Sequence, residues 1–156
     1  MRYDARQSAE PQIASLQEAP THVYYFATPT IYRRKKGLCD SHRLAEFNAY
    51  YLTGFLDLVE ACLRRRPEGV VVFYPSTVYI DDRPADLTEY VMAKAAGEVL
   101  CADMQKYLRG VCVLVRRLPR LPTDQTSSLL RSAVADSVGV MMPIVREMQA
   151  RVAAKL

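Results

Sequence analysis

The run Val70-Val71-Val72-Phe73-Tyr74 constrains this chain more than any other feature. Gly69 bounds it on one side and Pro75 on the other. Consecutive β-branched and aromatic residues between two such breakers read as a strand buried inside a sheet. Hydroxyls follow on Ser76 and Thr77, then a turn segment, Asp81-Asp82-Arg83-Pro84. Asp86-Leu87-Thr88-Glu89 opens a helix that runs to about Arg109, with Gly110 as its stop. A second buried strand, VCVLVR, occupies 111–116. Upstream, Val23 to Ala27 form a short apolar strand stopped by Thr28-Pro29. Alternation of strand and helix predicts an α/β fold, an open parallel sheet with helices on both faces.

The remaining segments fit that plan. Ser8 is suited to cap a helix over Ala9–Ala19, with Glu10 and Pro11 in its first turn. Asp40 or Ser41 is expected to cap a long helix from Arg43 to Leu63. In it Leu44, Phe47, Tyr51, Phe55, Leu58, Val59 and Cys62 recur at helical spacing. Tyr50, Leu52 and Leu56 widen its apolar surface, so two sides need covering. Residues 127–156 read as helix, with Pro143 near the start of a final one.

A chain of 156 residues, half apolar and 24% charged, suits one domain. We divide it into a lead-in helix (1–20), a core (21–126) and C-terminal helices (127–156). No apolar stretch is long enough to cross a membrane, and the charged N-terminus is not a secretory signal. The net charge of +4 comes from short groups such as Arg33-Arg34-Lys35-Lys36 and Arg64-Arg65-Arg66. Without an aromatic-interleaved basic helix they read as solvated surface rather than a nucleic-acid site. The four cysteines and two histidines show no metal-ligand spacing. Free thiols in apolar contexts fit a reducing cytoplasm.

Candidate chemistry lies at the start of the long helix. Tyr90 and Lys94 are four apart, hence on one helix face. An ammonium near a phenol favours the phenolate and lowers its pKa from about 10. A hydroxyl delivered by the preceding strand, from Ser76 or Thr77, would hold a substrate carbonyl against the phenol. The three together make an acid–base device for a carbonyl or an alcohol.

Strand, Ser76, about a dozen residues, then Tyr90-x-x-x-Lys94 on a helix resembles the catalytic half of the short-chain dehydrogenase/reductase family. The resemblance spans nearly the whole chain. It implies a partial Rossmann-like, doubly wound parallel sheet in three α/β/α layers. It implies that Ser76 orients the carbonyl, Tyr90 transfers the proton, and Lys94 lowers the Tyr90 pKa and holds the nicotinamide ribose of NAD or NADP. Thr77 is the alternative hydroxyl, one residue away. Ala27-Thr28-Pro29 occupies the place of the segment that lies against the cofactor. Pro119 and Thr123 resemble the Pro and Thr that touch the nicotinamide amide. Asn48 is a candidate for the helix asparagine that holds a water near the lysine. Aligning Gly54 with the family's helix glycine puts Tyr51 there instead. The resemblance also implies a small carbonyl or alcohol substrate and a homodimer through helices 43–63 and 87–109.

One expected part is missing. The six glycines are isolated, and no glycine-rich turn exists to cradle a pyrophosphate. Three readings follow: an excerpt of a longer reductase, a chain completed by a partner carrying the nucleotide half, or a cofactor-free relative serving as an interaction or dimerisation module. Survival of Ser76, Tyr90 and Lys94 favours the first.

Overall fold

In the computed structural model, residues 3–32, 37–121 and 136–151 are described. Three parallel strands form one sheet in the order β1 (His22–Tyr24), β2 (Val70–Thr77), β3 (Val111–Leu118). β2 is central and every one of its residues is buried. It aligns with β3 from Val70 opposite Val111 to Thr77 opposite Leu118, and with β1 from His22 opposite Val71 to Tyr24 opposite Phe73.

Alternation along β2 divides the core. Val70, Val72 and Tyr74 face the larger apolar cluster, with Phe47, Tyr51, Phe55, Val59 and Ala93. Val71 and Phe73 face the smaller one, with Leu114, Ile144 and Met148. On the first side lie helices α1 (Ala9–Ala14), α2 (Ser41–Asn48), α3 (Gly54–Arg65) and α5 (Thr88–Tyr107). On the second lies α6 (Ser137–Ala150). A short α4 (Tyr79–Asp82) and a 3₁₀ turn (Ala85–Leu87) lead from β2 into α5. The result is a three-layer α/β/α arrangement, a partial Rossmann-like sheet.

Pro75 sets where the sheet stops. Val71 N–H bonds Thr21 O at 2.9 Å, and Tyr25 N–H bonds Phe73 O at 3.1 Å, so odd positions of β2 turn their polar groups toward β1. Pro75 is the next odd position and has no N–H to give. β1 therefore ends at Tyr24 rather than continuing to Ala27 as the apolar run suggested. The Pro75 carbonyl is left for another donor.

Other boundaries moved for tertiary reasons. α1 ends at Ala14, not Ala19: Arg65 donates to the carbonyl of Ile13 in its last turn and to those of Leu16 and Gln17 just beyond it. Its N-terminus is capped by Asp57 of α3, which accepts from Ala9 N–H at 2.7 Å, not by Ser8. Asp40 caps α2, accepting from His42 and Arg43 N–H. The long helix is one segment interrupted by a π-turn at Ala49–Thr53. Pro143 lies inside α6 rather than near its start. α5 ends at Tyr107, with Leu108 already extended, rather than at Arg109; Gly110, at φ 78°, lies in the turn into β3, where a Cβ would sit 3.2 Å from Gly69 Cα. No described helix is long and apolar enough to cross a membrane.

Candidate functional site

The carboxyl ends of all three strands open into one cleft of about 200 Å³. This is the edge at which open parallel sheets hold ligands. Ala27 and Thr28 line it beyond β1, Thr77 and Ser76 at the end of β2, Leu118 and Pro119 at the end of β3. Tyr90 and Lys94 close it from α5, and Tyr51 from the π-turn. The walls are mostly aromatic, with Phe26, Tyr32 and Tyr79 completing them.

Tyr90 reaches the cleft because α5 buries a stripe at Tyr90, Ala93, Lys94, Gly97, Cys101 and Met104, spacing that keeps one helix face on the sheet. Burial pushes its phenol up to about 12, against a lowering effect of the nearby Thr77 hydroxyl. The expectation that Lys94 would lower the Tyr90 pKa is thus corrected. The reason is in Lys94 itself, which burial brings down from 10.5 to about 7. Its amine lies 6.0 Å from the Tyr90 ring centre, and a half-neutral amine favours a phenolate less than a full cation does. Near neutrality Tyr90 is a protonated phenol, ready to donate.

Lys94 is 5% exposed. Its Nζ donates to the Pro75 carbonyl at 2.6 Å, the acceptor that the end of the β1 ladder left over. It lies 3.9 Å from the centre of the Tyr51 ring and 4.8 Å from that of Tyr74. Among the described residues no carboxylate pairs with it.

The two neighbouring hydroxyls have different surroundings. Ser76 donates to Glu98 Oε1 at 2.6 Å. Glu98 is in turn gripped through both oxygens by Arg117, at 2.8 and 2.7 Å, which holds its carboxyl below the usual range. Arg117 also grips Asp81 of α4. Ser76 thus lines the cleft with its proton given to α5, while Thr77 lines it beside Tyr90.

Asn48 does not line the cleft; Tyr51 does, because the π-turn follows Asn48 and re-aims the next turn. Pro29 also stays outside the lining, accepting from Thr28 Oγ1 at 3.1 Å. Thr123 lies outside the described residues. Sequence reasoning gave no part to Phe26, Tyr32, Tyr79 and Arg120, which the structure brings to the walls. Tyr79 stood in plain sight two residues beyond Thr77. Among the described residues no group of three or more acidic, histidine or cysteine side chains is placed to hold a metal.

No protein-family model and no curated protein matches the sequence. Solved structures do match in shape. A short-chain dehydrogenase from Burkholderia cenocepacia, in complex with NADP, superposes with a TM-score of 0.70 at 13% identity, over 97% of this chain and 65% of that one. The fold is short-chain-dehydrogenase-like. A short chain dehydrogenase from Salmonella enterica serovar Typhi gives 0.67 at 16% identity, over 92% and 62% of the two chains. A short-chain dehydrogenase/reductase from Vibrio parahaemolyticus gives 0.66 at 15%, over 92% and 66%. The chain spans less than two thirds of the length of these dehydrogenases.

The described residues do not fit a whole dinucleotide. Ala27, Thr28 and Pro119 line the cleft. None of the glycines lines the cleft, so no backbone cradle faces a diphosphate. The Lys94 amine, which lines the cleft, donates to the Pro75 carbonyl and lies over the Tyr51 ring.

Proposed function

We propose that this chain is the carbonyl-binding, proton-transferring half of a short-chain-type oxidoreductase. The observation that carries the reading is the Thr77–Tyr90 hydroxyl pair, with an uncharged phenol, opening into a cleft at the strand ends. A carbonyl oxygen accepts from both hydroxyls, and the Tyr90 Oη proton passes to it as the carbonyl becomes an alcohol. In the reverse direction the alcohol returns that proton. Thr77 takes the orienting role first given to Ser76. NAD or NADP is the redox partner only when a glycine-rich segment joins the sheet. The steps assigned to this chain stop at carbonyl binding and proton transfer. A small carbonyl compound suits a cleft of about 200 Å³, and a reducing, cytoplasmic setting suits the free thiols.

The test is dinucleotide-dependent carbonyl turnover by the chain supplied with its nucleotide-binding half, over a panel of small ketones and aldehydes. Tyr90→Phe is expected to lower the rate by about 10² or more, the usual worth of a positioned acid. Near-normal turnover in that variant would remove Tyr90 from the reaction.

A second reading has its own support. Met92 and Val99 are 48% and 64% exposed along α5, as an interface helix would present them. On this reading the chain is a dimerising module with no chemistry. It predicts a dimer by light scattering and no turnover under any supplementation.

A further inference from the structure

Lys94 is a buried base whose charge has no carboxylate to meet it among the described residues. Groups face it from every element packed around it. β2 gives the Pro75 carbonyl and the Tyr74 ring, and α5 gives Tyr90, Glu98 and Cys101. Glu98 is taken by Arg117 and Ser76. Burial pushes the Cys101 thiol up to about 12, so it is neutral. What remains is aromatic, and the nearest ring is Tyr51, at 3.9 Å. Such a distance over a ring face is the geometry of cation–π attraction, strongest where water is excluded.

Tyr51 is fixed for this place from three sides. The π-turn at Ala49–Thr53 delivers it. Its hydroxyl bonds Thr28 of the cleft wall. Its carbonyl accepts from Tyr74 Oη at 3.3 Å, tying the second ring of the box to the first. Phe47 stacks behind it at 5.8 Å, with planes 8° apart.

We propose that Tyr51 is a positioning residue of this site, its ring face holding the ammonium form of Lys94 against the Pro75 carbonyl in place of an acidic partner. The assignment rests on the reading of Thr77, Tyr90 and Lys94 as a working site. It gives the π-turn a purpose: a continuous α-helix through Ala49–Thr53 would aim residue 51 elsewhere. It also makes the ring, not the hydroxyl, the active part of the side chain.

The experiment follows the Lys94 ¹³Cε resonance against pH in the intact chain, assigned by its loss in Lys94→Arg. Wild type is expected to titrate near 7. Tyr51→Leu removes the ring and is expected to titrate about one unit lower, roughly tenfold in the charged-to-neutral ratio. Tyr51→Phe keeps the ring and is expected to titrate with wild type. Tyr51→Met fills similar space and substitutes for Leu if that variant does not fold. An aliphatic variant that titrates with wild type overturns the assignment. So does a Phe variant that falls as far as Leu, since the hydroxyl would then be responsible. No substrate is involved, so the outcome is separate from the fate of the reductase reading. Ring-dependent titration with full turnover in Tyr90→Phe would leave Tyr51 assigned and the reductase reading overturned.

Discussion

Lys94 costs the protein stability in a pH-dependent way, and the direction follows from its buried setting. Burial lowers its pKa from 10.5 to about 7. Between those values the unfolded chain binds a proton that the folded chain does not. Folding stability from this group therefore rises with pH through that window, and its cost is greatest below 7. The slope is at most about 1.4 kcal/mol per pH unit for one group. Lys94→Met is expected to flatten this dependence, gaining on wild type most at pH 6 and least at pH 10. Urea denaturation at both values checks it. An unchanged gap would mean that Lys94 is solvated in the folded state. The same residue shows where reading from sequence stops. Spacing alone put Tyr90 and Lys94 on one helix face, which the structure has. It could not say that the amine would be desolvated, and desolvation reverses the expected effect on the phenol.

At the scale of elements, β2 and α5 are held together by a close approach that only glycine permits. A Cβ on Gly97 would stand 1.9 Å from the Tyr74 hydroxyl oxygen. Tyr74 is fully buried and its hydroxyl is bonded to the π-turn, so it has no open space to move into. Gly97→Ala is expected to destabilise by about 1–3 kcal/mol, as overpacked cores do. Denaturant midpoints would show it. Adding Tyr74→Leu should cost less in that background than alone, since the clash is then relieved. Strands β2 and β3 and helix α5 were legible because their signals are local: an unbroken apolar run and a periodic stripe. The π-turn was not, because Ala49-Tyr50-Tyr51-Leu52-Thr53 carries no breaker and reads as ordinary helix. Nor was the Ser76 bond to Glu98, a contact between side chains 22 residues apart. The shortened α1 was hidden in Arg65, fifty residues downstream in the chain.

For the whole molecule, the cleft collects residues from all three strand ends but, among the described residues, no cradle for a diphosphate. The chain alone is therefore expected to show no heat of binding with NADPH by calorimetry, and binding is expected to appear when a glycine-rich nucleotide half is supplied. Tight binding by the chain alone would mean that a cradle exists outside the described residues. One structural feature bears on how such a half would attach. Odd positions of β1 turn their backbone toward β2, so His22 and Tyr24 turn theirs outward, where no described strand meets them. An incoming partner would find a raw selvage of amides and carbonyls there. The seam would be woven mainly from main-chain bonds, tolerant of side-chain exchange along it and broken by a single imino acid at Tyr24.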